Sequence, residues 1–337
     1  MIMQPGPLAP TYSVVVPVYE SNRSISELVS RLRAVFENSI QAAYEIILVD
    51  DGSRSPLTWQ TCERFAREYP SIVAIRLMRN YGKPGAVLCG LTHARGQFVI
   101  TIDDDLQQRP EDIPALITHQ SHDVVVAHFA SSQHDQLTKI GSWIKRAFDR
   151  VILGLPCPMS PLKLFKAEVA RGMLQIRTPY PFIPALLASV TQDFVSVVVS
   201  HETSRHGKSR YTFRRRVRQF SHLLINNSTL LLRCLGVLGV TVAFGGFVFA
   251  LTVVLRRLFG APIFPGWASL MVINLVFGGL ILLALGIVGE YLIRILEGIS
   301  NKPAYLIRQI VTAEGEPPQE KKDCEAALPL HSSEQWI

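Results

Sequence analysis

Five short β-branched runs recur through the first half of the chain, at 12–18, 44–50, 72–77, 97–102 and 123–128, each followed by polar residues. Stretches of helical spacing separate several of them. This alternation predicts an α/β fold, a Rossmann-like and mostly parallel sheet with crossover helices. Between the first two runs, Ile25, Leu28, Leu32, Val35 and Phe36 recur at helical spacing over 24–38, and Ser24 with Glu27 makes a capping-box pattern. Open sheets of this kind bind ligands beyond the carboxyl ends of their strands. The residues to inspect are therefore Tyr19 and Glu20, Asp50 to Ser53, Asn80 to Lys83, and Asp103 to Asp105.

The fourth run ends in Asp103-Asp104-Asp105-Leu106-Gln107. Carboxylates crowded at one strand end repel each other unless a cation sits between them, and hard oxygen ligands suit Mg²⁺ or Mn²⁺. A solvated acidic turn before a helix starting near Pro110-Glu111-Asp112 explains the triplet equally well when it is taken alone. Val49-Asp50-Asp51-Gly52-Ser53 likewise fits either a nucleotide-binding strand end or a simple turn. Together with Pro17-Val18-Tyr19 the three segments form an ordered constellation.

Beyond residue 129 the pattern loosens, with a helix expected over 143–153, a Pro-rich turn over 156–161 and a strand over 194–200. Arg205, Lys208, Arg210, Arg214, Arg215, Arg216 and Arg218 follow, with Phe213, Val217, Phe220 and Leu224 spaced as the apolar face of an interfacial helix. Two uncharged runs, about 234–255 and 267–289, each have roughly the twenty residues that cross a bilayer. The basic cluster directly before the first run assigns the net charge of +7 to anionic lipid rather than nucleic acid. Larger basic flanks outside the spans than between them place both termini and the sheet domain in the cytoplasm of a multi-pass membrane protein.

The expected organisation is a flexible 1–10, a sheet domain over 11–205, a juxtamembrane segment over 206–232, two spans within 233–292, a second juxtamembrane segment over 293–311 and a disordered tail. Five cysteines with no CxxC pair argue against a disulfide framework or zinc site. His119, His122, His128 and His134 lack metal-ligand spacing.

The ordered set Val14 to Tyr19, Val49 to Ser53, Arg79 to Lys83, Asp103 to Gln107 with Pro110-Glu111, and Gly289-Glu290-Tyr291-Leu292 with Arg294 resembles the polyprenyl-phosphate glycosyltransferases of glycosyltransferase family 2. The resemblance covers about 12–309. It implies a GT-A fold and an inverting transfer of sugar from a nucleotide-diphosphate sugar, by preference a UDP-sugar, to undecaprenyl phosphate for cell-envelope glycan assembly. By position it implies that Pro17, Tyr19, Glu20, Asp50, Asp51 and Asp104 surround the nucleotide, that Asp103 serves the ribose or diphosphate side, and that Asp105 with Gln107 holds Mg²⁺ or Mn²⁺. Lys83 is implied either as a diphosphate contact or as a structural ion pair. The basic motif appears as Gly207-Lys208-Ser209-Arg210-Tyr211, with Arg205 before it, and these residues with Lys163 are implied at the acceptor phosphate.

Four segments depart from the family pattern. Met159 to Phe165 lacks the aspartate of a DFRL-like segment and keeps only Lys163 as its basic member. Tyr19-Glu20-Ser21 replaces Tyr-Asn-Glu, Arg205 stands two residues before Gly207, and His128 to His134 replaces an arginine-rich loop. The resemblance further implies a homo-oligomer working beside a flippase and a downstream glycosyltransferase. Another lipid acceptor, or a non-catalytic nucleotide-sugar-binding subunit, is the alternative. A processive polysaccharide synthase is disfavoured by the lack of a QxxRW segment.

Overall fold

The computed structural model describes residues 10–21, 24–129, 157–176, 178, 181–199, 266–299 and 303–313, with scattered positions between 237 and 259. Its frame is an eight-stranded sheet in the order β7-β5-β6-β4-β1-β2-β3-β8. The strands are β1 (Tyr12–Val18), β2 (Tyr44–Asp50), β3 (Ile72–Leu77), β4 (Phe98–Thr101), β5 (Val124–Phe129), β6 (Lys163–Lys166), β7 (Phe194–Val199) and β8 (Ile307–Val311). The helices are α1 (Ser24–Ala34), α2 (Pro56–Glu68), α3 (Lys83–His93), α4 (Ile113–Ile117), α5 (Ala167–Gln175), α6 (Ile183–Val190) and α7 (Trp267–Ile299).

Side chains alternate across the sheet, and both faces are covered, which is why the central strands read as unbroken apolar runs. Val14, Val16, Ile46, Leu48 and Ile100 pack with Leu28, Leu32, Trp59 and Phe65 from α1 and α2. Val15, Ile47, Val49, Ile75 and Val99 pack on the other face with Ala86 to Leu91 of α3 and with Val169 and Met173 of α5. Each fully buried Val, Leu or Ile stabilises the fold by about 1.5–3 kcal/mol.

β1 pairs in parallel with both β2 and β4, and β2 pairs in parallel with β3. Chain order runs outward from β1 in both directions, so the topological switch point lies between β1 and β4. Their ladder stops at Val15 and Thr101, short of the end of β1. Pro17, with no N–H to give, lies beyond the last rung. In open sheets of this kind the ligand crevice lies beyond the carboxyl ends of the strands at such a switch point.

Three features differ from expectation. The stretch from 24 splits into α1 and a π-helical turn over Val35–Ile40 that closes on Gln41 in left-handed conformation. β6 inserts antiparallel between β4 and β5, so the last three residues of the DFRL-like segment, Lys163 to Phe165, become sheet. β8, from the stretch assigned to the second juxtamembrane segment, pairs antiparallel with β3. Its Val311 is buried there, Ile307 and Ile310 pack partly buried against the core, and the Leu306 carbonyl accepts from Met78 N at 2.8 Å. The sheet domain thus includes residues well past 205.

α7 runs 33 residues, a length of about 50 Å at 1.5 Å per residue, and contains the second expected span. Leu270, Ile281, Leu285, Leu292, Ile295 and Leu296 are exposed along it. Counted over the described residues, no helix is long and apolar enough to cross a membrane. The first expected span, the helix over 143–153, the amphipathic segment with Arg205, Lys208, Ser209, Arg210 and Tyr211, and most of the tail lie outside the described residues.

Candidate active site

Four chain segments meet at the mouth of the β1/β4 cleft and are tied to one another by side-chain-to-backbone hydrogen bonds. Glu20 N donates to Ser53 Oγ at 3.0 Å, and Arg54 N donates to Glu20 Oε1 at 2.6 Å, which joins the β1 and β2 loops. Tyr81 N donates to Asp51 Oδ1 at 2.7 Å, which joins the β2 loop to the approach of α3. Tyr19 N donates to Asp104 Oδ2 at 3.1 Å, which joins the β1 and β4 loops.

Close approach dictates Gly52. Its φ is +63°, and a Cβ there would stand 2.5 Å from the carbonyl carbon of Arg79. Glu20 and Leu106 also adopt left-handed backbone, at φ 56° and 59°. Non-glycine residues rarely do so, and such strain gathers at functional sites.

The three aspartates do not converge on one point. Asp103 accepts from Lys83 Nζ, at 2.6 Å to Oδ1 and 2.7 Å to Oδ2. Its backbone N–H donates to the buried Gln108 Oε1 at 3.0 Å. Asp104 turns back toward β1; burial pushes its carboxyl up to about 6, against the lowering effect of hydrogen bonds from Ser21 and Tyr19. Asp105 is exposed and accepts from Gln107 N at 3.1 Å. Desolvation raises its carboxyl above the ordinary value, and neighbouring Asp103 adds to the rise.

Among the described residues no group of three or more His, Cys, Asp or Glu could hold a metal ion. The expected metal ligands, Asp105 with Gln107, hold a single carboxylate between them and do not form such a group. The left-handed turn at Leu106 and the pull of Lys83 and Tyr19 N send the carboxylates in separate directions. Asp105, an exposed hard-oxygen group whose ionised form would gain from a nearby cation, keeps the chemistry of a metal ligand, with Gln107 beside it.

The other sequence-selected residues are placed as follows. Pro17 is buried near the end of β1, and Tyr19, just beyond it, is 42 % exposed. Asp50 is fully buried, with Oδ1 accepting from Ser53 N at 3.0 Å. Its Oδ2 lies 3.4 Å from Arg76 Nε but has no hydrogen bond. Asp51 is spent on the α3 approach, and burial raises its carboxyl. Lys83 is ion-paired with Asp103. Lys163 is buried in β6 rather than presented on a loop.

Gln108 and Arg76 were not anticipated. Only the backbone turn shows that Gln108 rather than Gln107 braces Asp103, and only the β2–β3 pairing of Asp50 with Arg76 reveals their ion pair.

Residues 13–169 match the glycosyl transferase family 2 domain. The chain is 34% identical over 326 residues to the undecaprenyl-phosphate 4-deoxy-4-formamido-L-arabinose transferase of Edwardsiella ictaluri, covering 92% of this chain and 97% of that protein. The chain belongs to glycosyl transferase family 2, with a GT-A, Rossmann-like α/β domain. It is a glycosyltransferase similar along nearly its whole length to a polyprenyl-phosphate sugar transferase.

Among solved structures it is similar to glucosyl-3-phosphoglycerate synthase from Mycobacterium tuberculosis in complex with Mn²⁺ and UDP-glucose (18% identity, TM-score 0.43, 67% of this chain and 79% of that one). It is also similar to mannosyl-3-phosphoglycerate synthase from Rubrobacter xylanophilus (17% identity, TM-score 0.45, 67% and 75%).

Proposed function

We propose that this enzyme is a membrane-anchored, inverting transferase that moves a sugar from a nucleotide-diphosphate sugar, UDP-linked by preference, to undecaprenyl phosphate. The observation that carries the reading is the cleft at the β1/β4 switch point, where Asp103 and Asp105 stand at the strand end of a chain related over 92% of its length to such a transferase.

Tyr19 at the rim and Asp50 at the floor flank the nucleotide. Asp51, Glu20 and Ser53 hold the loops that shape its pocket. Asp105 and Gln107 would hold Mg²⁺ or Mn²⁺, which when bound offsets charge on the departing nucleoside diphosphate. Lys83 releases Asp103 or shares it as phosphate oxygens arrive. A phosphate monoester is already anionic near neutral pH, so the acceptor needs alignment more than proton removal. That suits a chain whose 159–165 segment has no carboxylate.

The exposed apolar side of α7, the apolar run before it and the basic stretch over 205–218 support anchoring at the cytoplasmic face of a bacterial inner membrane.

The test is direct. Full-length protein in detergent is incubated with undecaprenyl phosphate, Mg²⁺ or Mn²⁺ and a panel of radiolabelled nucleotide sugars, and a labelled lipid is expected from one donor. No labelled lipid from any donor, with nucleotide binding retained, would overturn the acceptor assignment.

A further inference from the structure

Arg76 stands near the end of β3, the Cα partner of Asp50 on β2 and of Gln309 on β8. Ile72 and Ala74 of the same strand belong to the core under α1 and α2, as Ile46 and Leu48 of β2 do. Side chains alternate along a strand, so Arg76 and Asp50 lie on that same face. The contacts agree with the register. Arg76 Nε is 3.4 Å from Asp50 Oδ2, and the guanidinium carbon is 5.6 Å from the centre of the Trp59 ring on α2. Asp50 is fully buried, while the Arg76 side chain is 24 % exposed.

The carboxylate that Arg76 faces is the first link of a chain of hydrogen bonds that crosses from the β2 loop to the β1 loop. Asp50 Oδ1 accepts from Ser53 N at 3.0 Å, Ser53 Oγ accepts from Glu20 N at 3.0 Å, and Glu20 Oε1 accepts from Arg54 N at 2.6 Å. Gly52 and Glu20, both within the linked loops, have left-handed backbone, and such conformations persist only where the surroundings hold them. Tyr19, next to Glu20, is the exposed ring at the end of β1. Lys83 and Asp103 are bonded to each other, and Asp103 N to Gln108, outside this chain.

A buried carboxylate stripped of its counter-charge is costly. Without the guanidinium Asp50 is drawn toward water, and its hold on Ser53 N loosens. A salt bridge that served folding alone would lower stability on removal and leave binding as it was.

We propose that Arg76 is a positioning residue for the nucleoside part of the donor: through Asp50 and Ser53 it sets the place of the Tyr19-Glu20 turn against which base and ribose bind. This rests on the nucleotide-sugar reading of the site and deepens it.

The experiment uses full-length protein in detergent, with thermal melting and calorimetric titration. UDP, GDP and dTDP are titrated in turn with Mg²⁺, and pyrophosphate with Mg²⁺ serves as the probe that lacks base and ribose. Arg76→Leu is expected to lose about tenfold in affinity for the nucleotide that the wild type binds, the size of one coupled contact. Its pyrophosphate affinity should be unchanged at temperatures well below melting. Arg76→Lys, which keeps the charge, should recover most of the nucleotide affinity.

Unchanged nucleotide affinity in Arg76→Leu overturns the proposal whatever the melting temperature does, since the pair is then structural. An equal loss for nucleotide and pyrophosphate overturns it too, because the disturbance is then general. If Arg76→Leu does not fold, Arg76→Gln is compared with Arg76→Lys, and equal nucleotide affinities overturn it. Wild-type protein that binds none of the nucleotides overturns the donor reading and this proposal with it; wild-type protein that binds one confines any failure to the role of Arg76.

Discussion

The two ends of the sheet handle buried charge in opposite ways. At the amino-terminal end, Glu45 is buried and fully engaged. Ser13 Oγ donates to it at 2.6 Å, Arg95 N at 2.7 Å and Arg95 Nε at 3.0 Å, and Ser13 Oγ in turn accepts from Gly96 N at 2.8 Å. At the carboxyl-terminal end, Asp50 Oδ2 lacks a hydrogen bond and Asp104 is pushed up to about 6 by burial. A buried polar group left unmet costs free energy that the fold must recover elsewhere. Satisfied charge at one end serves stability, while unmet charge at the other marks where a ligand completes the structure.

The comparison breaks most visibly at Asp105. Asp105→Asn is expected to lower turnover at least a thousandfold, about 4 kcal/mol in barrier height, with an unchanged melting temperature. Activity assayed across Mg²⁺ and Mn²⁺ concentrations checks it, and full activity would remove Asp105 from the metal role.

Gly52→Ala tests whether the ligand end also carries fold-defining contacts. Its Cβ would meet the Arg79 backbone at 2.5 Å from a left-handed conformation, so a loss of about 3 kcal/mol is expected in denaturant unfolding. A loss under about 0.5 kcal/mol, the usual range for an uninvolved surface site, would show that the two loops separate freely.

Glu45→Ala is the counterpart at the amino-terminal end. It strips the acceptor from Ser13 and Arg95 and should cost about 2 kcal/mol of stability, with nucleotide affinity unchanged. A changed affinity at equal stability would dissolve the distinction between the ends.

The smallest effect is expected at Glu111, which Arg31 grips at 2.6 Å and 2.8 Å to tie α1 to the turn after Asp105. Hydrogen bonds from Arg31 hold its carboxyl below the ordinary 4.5. The stabilisation is therefore present above that ordinary value and lost as pH falls through the lower folded-state value. The pair is partly exposed, so Glu111→Gln should cost under about 1 kcal/mol. Melting curves in low and high salt at pH 7 and pH 3 should converge for variant and wild type at the acid pH.

Much of the donor half was legible in the sequence. β1, β2 and β3 fall on the expected residues because runs such as Tyr12–Val18 are β-branched and buried on both faces, a pattern that local chemistry alone specifies. β6 was not legible, since four residues after Pro161 carry too little pattern and pair with partners some sixty positions back in the chain, Lys163 with Thr101. β8 was hidden for a related reason. Its five residues follow a long apolar helix and pair with β3, more than two hundred positions earlier, as Val311 does with Ala74.

What the sequence determined by itself is the set of strand ends and their chemistry. Strand periodicity and the order of Tyr19, Asp50, Asp51 and Asp103 to Gln107 place these groups at one edge of a parallel sheet, because side-chain spacing and strand direction are local properties. Only the tertiary structure decided how each charge is used. The tertiary contacts split the aspartates among Lys83, Tyr19 N and solvent, and the antiparallel insertion of β6 between β4 and β5 buries Lys163. Direction and burial depend on what packs across the cleft, and that information lies in contacts between distant parts of the chain.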